Sequence, residues 1–495
     1  MTAQTGSPAP PATAGDAGAT RLARSRRNSE LWLLLLAMVL VALYGATVEA
    51  NQFGSITADF WVPAAVLTLV YLGLHVAVRF LAPFADPVLI PAVALLSGIG
   101  VGFLRRLDLA RADAADREHL AIFAGTGGRQ LAWTLIAVVL AVALLFIVRD
   151  HRSISKYAYT LGLAGIVLVM LPAVLPRSIS EVNGARLWIR IGSFSIQPGE
   201  FAKLALLAFF AYYLVRKREV LSLASRRVLG IDFPRGRDLG PVLVVWAISL
   251  LLLVFEKDLG TSLLYFGMFV VTLYIATERV SWLLIGLVLF FGGAYLAYFL
   301  GGTIGGPFYN FRQRADIWLD PFQDPFDKGY QPVQGLLGLG SGGLFGAGPG
   351  GGEPLQIPEV HNDFIFAGIG EEIGLFGLTA LLMLYLLISQ RGLRAGLGVR
   401  DSFGKLLAGG LAFTLALQVF VIIGGVTGLI PLTGQTTPFL SAGGSSLMAN
   451  LLLIALLLRI SDAARRPVTG GGPVRPTTGG KPDQLHGAPT EVIRT

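Results

Sequence analysis

The stretch of sequence that decides the fold is RQRADIWLDPFQDPFDKGYQPVQGLLGLGSGGLFGAGPGGGEPLQIPEVHNDFIFAGIG, residues 312–370. It is the longest polar interval between apolar runs, and Asp, Glu, Gly and Pro are dense in it. A long loop between regular elements is usually a functional segment or a linker. Because this one carries many carboxylates, we interpret it as a working site and the apolar runs around it as the scaffold.

The composition is that of a membrane protein. The 495 residues are 54% hydrophobic and 14% charged, whereas soluble domains carry about 25% charged residues. The net charge of +8 comes from basic residues in short loops between apolar runs, where the positive-inside rule places them, so we expect no nucleic-acid partner. The chain has no cysteine, which excludes disulfides and thiolate metal sites. These numbers predict an all-α polytopic membrane protein.

Apolar runs of about 17–25 residues can each span a membrane as a helix, and about twelve such runs are present. They lie at 31–49, 61–80, 88–104, 131–148, 158–176, 199–215, 241–257, 259–277, 281–300, 365–389, 405–429 and 445–461. We therefore predict about twelve transmembrane helices.

The distribution of Arg and Lys sets the predicted orientation. Segments 149–156, 216–238 and 390–400 are rich in both residues, so they are expected in the cytoplasm. Residues 1–30 and 462–495 are polar and rich in Ala, Gly, Pro or Thr, and we predict disordered cytoplasmic tails there. This count puts a large loop, about 301–362, outside the cell.

Glu200 and Lys203 stand three residues apart just inside an apolar run that starts at Pro198. Pro is favoured in the first turn of a helix, and residues three apart share one helix face. Charged groups inside a membrane helix are costly and indicate function, so a polar cavity is one interpretation. The alternative is a pair whose long side chains reach the membrane surface.

The other polar motifs have both structural and functional interpretations. Asp258, between two apolar runs, is either a helix N-cap or a ligand contact. Gly338, Gly340 and Gly343 satisfy G-x-G-x-x-G, but the dinucleotide fingerprint requires a βαβ unit, which this sequence lacks. We expect these glycines to allow tight turns and close backbone approach.

Carboxylates recur through the opening interval, at Asp320, Asp324 and Asp327 and again near its end. Each of the three could simply cap a turn. A cluster of carboxylates at a membrane surface also suits general-base catalysis on a hydroxyl, or an ion bound near phosphates. The segment 428–447 has Gly and Pro breaks between two apolar runs. Irregular backbone at membrane depth is tolerated only where it is buried in protein or lines a cavity.

Five motifs in order resemble the SEDS family of bacterial wall synthesis, which comprises the FtsW, RodA and SpoVE proteins. They are NGARLWIRIGSFSIQPGEFAKL (183–204), EKDLGTSLL (256–264), DPFDKGYQ with GLGSGGLFGAG (324–348), IPEVHNDFIFAGIGEEIG (357–374) and GLIPLTGQTTPFLSAGGSSL (428–447). The resemblance covers about residues 88–461 and is closest to the RodA type of actinobacteria. It leaves residues 31–87 as an extra N-terminal helix pair.

This resemblance implies a peptidoglycan glycosyltransferase that polymerises lipid II during elongation or division and releases undecaprenyl diphosphate. It implies Asp324 as the general base, diphosphate contacts at Lys203 or Arg186, and a class B penicillin-binding protein among partners from the elongation or division machinery. Mg or Mn could assist near the diphosphate. The substrate and cavity residues that it implies are Arg186, Trp188, Gln197, Glu200, Lys203, Asp258, Tyr330, Gln331, Glu359, His361, Asp363, Glu371, Glu372, Pro438, Ser441 and Ser445.

Two other classes of function remain open on the sequence alone. A lipid II flippase needs the cavity but no base. A scaffold that only recruits the transpeptidase leaves the charges inside the membrane unexplained.

Overall fold

The computed structural model is almost entirely helical, which confirms the predicted all-α polytopic class. It describes residues 14–57, 60–112, 123–182, 185–191, 194–221, 224–228, 231–234, 240–255 and 258–467. Its α-helices are α1 (Ala14–Phe53), α2 (Trp61–Leu81), α3 (Leu89–Arg111), α4 (Gly125–Ile147), α5 (Ala158–Val174), α6 (Arg177–Ser180), α7 (Pro198–Leu221), α8 (Gly240–Phe255), α9 (Leu259–Thr277), α10 (Val280–Thr303), α11 (Tyr309–Leu319), α12 (Tyr330–Gly342), α13 (Ile365–Gly398), α14 (Ser402–Val426) and α15 (Gly444–Arg465).

Short antiparallel hairpins occupy two of the connections. Strand β1 (Glu181–Val182) pairs with β2 (Ala185–Arg186), and β3 (Ile189–Ile191) pairs with β4 (Phe194–Ile196). Between α7 and α8, β5 (Ala224–Val228) pairs with β6 (Ile231–Pro234). The hairpins satisfy backbone groups of these connections without adding a soluble domain.

Local start signals explain where several helices begin. Helix α7 starts at Pro198, as predicted. The Asp258 carboxylate accepts a hydrogen bond from the Thr261 amide at 3.0 Å and caps α9. Asp401 caps α14 in the same way through the Gly404 amide at 2.7 Å. Each cap satisfies a backbone donor that the first turn leaves free.

The number of membrane crossings stays a prediction. Within the described ranges, 11 helices are long and apolar enough to cross a membrane. The run predicted at 241–257 forms α8, which has 16 residues. At a rise of about 1.5 Å per residue, α8 is roughly 24 Å long, shorter than a hydrocarbon core of about 30 Å.

The disorder predicted for residues 1–30 is wrong from residue 14 onward, because α1 begins at Ala14. Arg27 and Glu30 are buried, and their side chains are 2.6 Å apart at Nη1 and Oε2. His75 on α2 lies 2.6 Å from the other Glu30 oxygen. These contacts of Glu30 with Arg27 and with His75 of α2 hold the polar segment in a helix that packs against the core. The predicted C-terminal tail also starts late, since α15 runs to Arg465.

The predicted loop at 301–362 is partly helical. It contains α11 and α12, and single 3-10 turns lie at Pro321–Gln323 and Pro354–Gln356. Glycine is what lets α12 pack closely on the start of α13: a methyl group at Gly342 would collide with the Gly370 carbonyl. Within the G-x-G-x-x-G pattern itself, a methyl group at Gly338 would collide with the Ile357 side chain and Gly343 has a φ of +54°, whereas Gly340 has open space around it. The structural interpretation therefore holds for Gly338 and Gly343.

The glycine segment, residues 343–353, is held by side chains from α1 and α3. Arg106 of α3 donates from Nη2 to the Gly352 carbonyl at 3.0 Å and from Nε to Glu372 Oε1 at 2.8 Å. On α1, Tyr44 donates to Glu372 Oε2 at 2.7 Å, and Asn51 donates to the Pro349 carbonyl at 2.6 Å. The extra N-terminal helix thus helps to shape the segment that follows α12.

Candidate active site

A polar cavity of about 470 Å³ opens between α11, the turn before α12, the turn before α13 and the loop 428–434. Part of its wall comes from the interval 312–370 that the sequence singles out. Its chemically active wall residues are Asn310, Gln313, Arg314, Lys328, Gln331 and Asp363. With two basic side chains and one carboxylate, the wall favours an anionic ligand that carries hydrogen-bonding groups.

Arg314 both lines the cavity and fixes one of its walls. From α11 its Nη1 donates to the carbonyls of Leu432 and Thr433, at 3.1 and 3.2 Å. Leu432 itself faces the cavity. The irregular backbone of this loop therefore lines a cavity, which is one of the two settings in which such backbone is tolerated at membrane depth.

Asp363 is the carboxylate inside the cavity. It sits two residues before α13 and is 8% exposed. Burial raises the pKa of Asp363 to about 7, and the negative charge of Glu359 acts in the same direction. Its own backbone amide, that of Phe364 and the Arg314 cation oppose this shift. The proton of Asp363 is therefore exchangeable near neutral pH.

An apolar groove of about 710 Å³ adjoins the polar cavity. Its walls come from α9, α10, α11 and α14, with aromatic residues such as Phe266 and Phe291. Trp318 and Ile430 line both spaces. The Trp318 indole donates to the Gly428 carbonyl at 2.8 Å, which holds the shared wall in place. A polar cavity joined to an apolar groove suits a molecule with an anionic head and a hydrocarbon tail.

Asp324 is exposed on the turn between two cavity-lining residues, Pro321 and Lys328. The Gly329 amide donates to the backbone carbonyl of Asp324 at 2.9 Å. This backbone hydrogen bond closes the turn without using the Asp324 carboxylate. Asp320 and Asp327 flank it, and the Asp327 carbonyl accepts from the Tyr330 amide at 3.2 Å. Among the implied residues of this turn, Gln331 lines the cavity.

Glu200 and Lys203 lie in a packed network elsewhere in the helix bundle. The Lys203 ammonium is 1% exposed. It donates to Glu200 at 2.6 Å, to Gln418 of α14 at 2.9 Å and to Asn450 of α15 at 3.4 Å. Three acceptors use all three of its protons. The structure therefore corrects the expectation of an open polar cavity around this pair.

The implied residues around the β1–β4 hairpins lie near that network. Arg186 is partly exposed and donates to the Ala173 carbonyl at 3.2 Å, and Trp188 is also half-buried. The backbone amide of Gln197 donates to the Ser445 hydroxyl at 2.9 Å. Asp258 is buried as the cap of α9. These contacts tie α7 and α9 to their neighbours.

The remaining implied residues mostly hold loops together. Ser441 donates to the Asn362 carbonyl at 2.6 Å, and the Pro438 carbonyl accepts from Tyr385. The Glu353 amide donates to Glu371 at 2.8 Å. Glu359 Oε2 lies 3.8 Å from His361 Nε2, and burial lowers the pKa of His361. Glu372 belongs to the anchor of the glycine segment described above.

Sequence reasoning missed four of the polar residues that line the cavity, Asn310, Gln313, Arg314 and Lys328, of which Arg314 and Lys328 carry the charge. Lys328 lies between Asp324 and Gln331 in the motif DPFDKGYQ, so its position in that motif could have indicated a site residue. Arg314 is set apart only by its position at the start of the polar interval. No group of three or more His, Asp and Glu residues in the described ranges could hold a metal ion. The described wall of the cavity offers one carboxylate, Asp363, together with Arg314 and Lys328, which does not fit Mg or Mn held by the protein alone.

The fold and the site define a polytopic membrane protein with a polar cavity that adjoins an apolar groove. The sequence profile of the FtsW/RodA/SpoVE family, described as "Cell cycle protein", matches residues 87–466. The chain belongs to this family.

Named relatives agree with that assignment. The peptidoglycan glycosyltransferase RodA of Mycobacterium tuberculosis is 47% identical over 444 residues, which are 90% of this chain and 92% of that protein. Stage V sporulation protein E of Bacillus subtilis is 37% identical over 68% of this chain and 87% of that protein.

Solved structures show the same architecture. One, described as "Structural coordination of polymerization and crosslinking by a peptidoglycan synthase complex", is 28% identical with a TM-score of 0.58, over 77% of this chain and 99% of that one. RodA of Thermus thermophilus is 26% identical with a TM-score of 0.50, over 76% of this chain and 96% of that one.

Proposed function

We propose that this chain polymerises lipid II into glycan strands, with the reacting sugars and diphosphate in the polar cavity and the lipid tail in the apolar groove. The chain is a peptidoglycan glycosyltransferase, as its mycobacterial relatives are. The observation that carries the proposal is the shared wall of Trp318 and Ile430 between the two spaces. A diphosphate lipid bound there would place its charged head in the polar cavity and its hydrocarbon tail in the apolar groove.

Asp324 is the proposed general base. The acceptor sugar hydroxyl attacks the anomeric carbon of the donor, and Asp324 takes the proton of that hydroxyl. The new glycosidic bond forms as the bond from the anomeric carbon to the diphosphate oxygen breaks. Undecaprenyl diphosphate leaves with the electron pair, and the cations Arg314 and Lys328 stabilise its charge. These two replace Lys203 and Arg186 as diphosphate ligands, because they line the cavity.

Polymerisation of purified lipid II by the purified chain with its partner tests the proposal. Glycan strands and free undecaprenyl diphosphate are the expected products. Transfer of lipid II across vesicles without polymer would favour the flippase alternative. Partner binding with neither activity would favour the scaffold.

Filling the groove tests where the lipid lies. Ala294 on α10 lines it, and Ala294→Phe is expected to raise KM for full-length lipid II about tenfold, since about 0.8 kcal/mol is lost for each methylene left in water. A short-chain analogue would be affected less. Gly292→Phe is the matched control, because Gly292 is exposed on the same helix outside the groove lining and a Cβ atom there would meet nothing within 4 Å. Equal KM values for all three proteins would place the tail elsewhere.

Both termini are proposed to lie in the cytoplasm and the glycine segment outside. The chain lacks cysteine, so single substitutions can be labelled without background. Ser341 and Ser402 are exposed. A membrane-impermeant thiol reagent applied to intact cells is expected to label Ser341→Cys and to spare Ser402→Cys. The reverse pattern would contradict the orientation and the site.

The proposed partner is a class B penicillin-binding protein, which would cross-link the strands that this chain polymerises. The solved complex described as coordinating polymerisation and crosslinking supports a partner of this kind. Co-purification with the transpeptidase encoded in the same cells tests it.

A further inference from the structure

We propose that Asp363 is the general acid of the transfer and protonates the departing diphosphate. This inference rests on the proposed function, because it names the second proton-transfer group of the same reaction. Asp363 lines the polar cavity together with Arg314 and Lys328, the cations assigned to the diphosphate. No role in the reaction as described so far uses this carboxyl group.

The two aspartates of the site lie in contrasting surroundings. Asp324 is exposed on a turn, whereas Asp363 is 8% exposed inside the cavity. A base must be ionised before the reaction and an acid must be protonated. Active sites achieve both with carboxylates when one is solvated and the other is enclosed in protein. The wet position of Asp324 suits the base, and the enclosed position of Asp363 suits the acid.

The charge on the diphosphate explains why the reaction needs a general acid. The diphosphate of lipid II carries one negative charge on each phosphate, and Arg314 and Lys328 can balance both. When the bond to the anomeric carbon breaks, the released phosphate becomes a terminal group whose second pKa is about 6. A further negative charge then develops in a cavity whose described lining residues include two basic side chains, Arg314 and Lys328. A proton from Asp363 neutralises it.

The proton count closes. The acceptor hydroxyl loses its proton to Asp324, and the diphosphate oxygen gains one from Asp363. The carbon–oxygen bond to the diphosphate breaks as the new glycosidic bond forms. After release, Asp324 is protonated and Asp363 is ionised, and exchange with water restores both. No oxidant, reductant or further reactant is needed.

The sign of the pH dependence follows from burial, which raises the pKa of Asp363 to about 7. The acid form is present below that pH and is lost as the pH rises through it. The charged side chains that act on Asp363 are Glu359, which raises its pKa, and Arg314, which lowers it. Lys328 lines the same cavity. Asp363 is the group whose proton the proposed step transfers, so the loss of activity on the alkaline side is assigned to Asp363.

The test is the pH profile of lipid II polymerisation by the chain with its partner. Asp363→Asn keeps the volume and a hydrogen-bond donor but cannot give up a proton. It is expected to lower kcat by about 10²-fold with KM little changed, and to abolish the fall of activity above pH of about 7. Asp316→Asn, an exposed α11 carboxylate outside the cavity lining, is the matched control and should keep the wild-type profile.

The outcomes separate this inference from the proposed function. A wild-type protein that makes no polymer overturns both. A wild-type protein that polymerises, with an Asp363→Asn variant of unchanged kcat and profile, overturns only the role of Asp363. If Asp363→Asn is not recovered folded, Asp363→Glu is measured instead. Its alkaline limb should move relative to the wild type, and an identical limb in both proteins overturns the role.

Discussion

Replacing Asp324 by Asn is expected to lower the rate of glycan polymerisation by about 10²–10⁴-fold, the usual contribution of general-base catalysis. The amide keeps the volume and an acceptor oxygen but cannot take the proton of the acceptor hydroxyl. Because Asp324 is exposed and its turn is closed by the backbone bond from Gly329 to its carbonyl, the fold should be unaffected. Initial rates on purified lipid II, with KM and kcat resolved separately, measure the effect.

The neighbouring aspartates provide the controls. Asp320→Asn and Asp327→Asn should each retain most of the activity, since Asn serves the same turn positions. An Asp327→Asn variant as inactive as Asp324→Asn would indicate that the two act together on a shared ion. Full activity in Asp324→Asn would end its catalytic assignment.

Lys203→Ala is expected to destabilise the folded protein by about 3–5 kcal/mol, the cost of breaking a buried ion pair by removing one partner. The substitution leaves the Glu200 carboxylate buried with no cation and removes a donor shared by Gln418 and Asn450. Helices α7, α14 and α15 meet through this ammonium. Loss of membrane-inserted protein and a lowered melting temperature in detergent are the measurements.

A double variant separates structure from catalysis. Glu200→Gln combined with Lys203→Met removes both charges at similar volume, and such replacements are often neutral or stabilising. Recovery of both folding and polymerisation in the double variant would show that the pair is structural. A Lys203→Ala protein that folds normally but is inactive would instead restore the functional interpretation that the sequence first suggests.

The helices could be predicted from the sequence because apolar length and start signals are local properties. Pro198 and Asp258 mark the starts of α7 and α9 in the sequence as they do in the structure. The helices α11 and α12 were missed because they are short and polar or glycine-rich. Their stability comes from packing on distant elements, as at Gly342 against Gly370, which no local pattern reports.

The site could be predicted only in part. The interval 312–370 and the cavity residues Gln331 and Asp363 follow from composition and motif. Arg314 was missed because its importance arises from a contact with residues more than a hundred positions later, Leu432 and Thr433. The pair Glu200 and Lys203 was assigned to a cavity because a sequence cannot show whether a buried charge meets solvent or partners.

The contacts of α1 with the glycine segment make the start of the family profile, residue 87, a boundary of shared sequence and not of a folding unit. A chain truncated there would lose Tyr44, leave Glu372 with one hydrogen-bond donor fewer, and free the Pro349 carbonyl from Asn51. Transplanting the catalytic core between members of the family would therefore require the first helix and the segment 343–353 to be exchanged together.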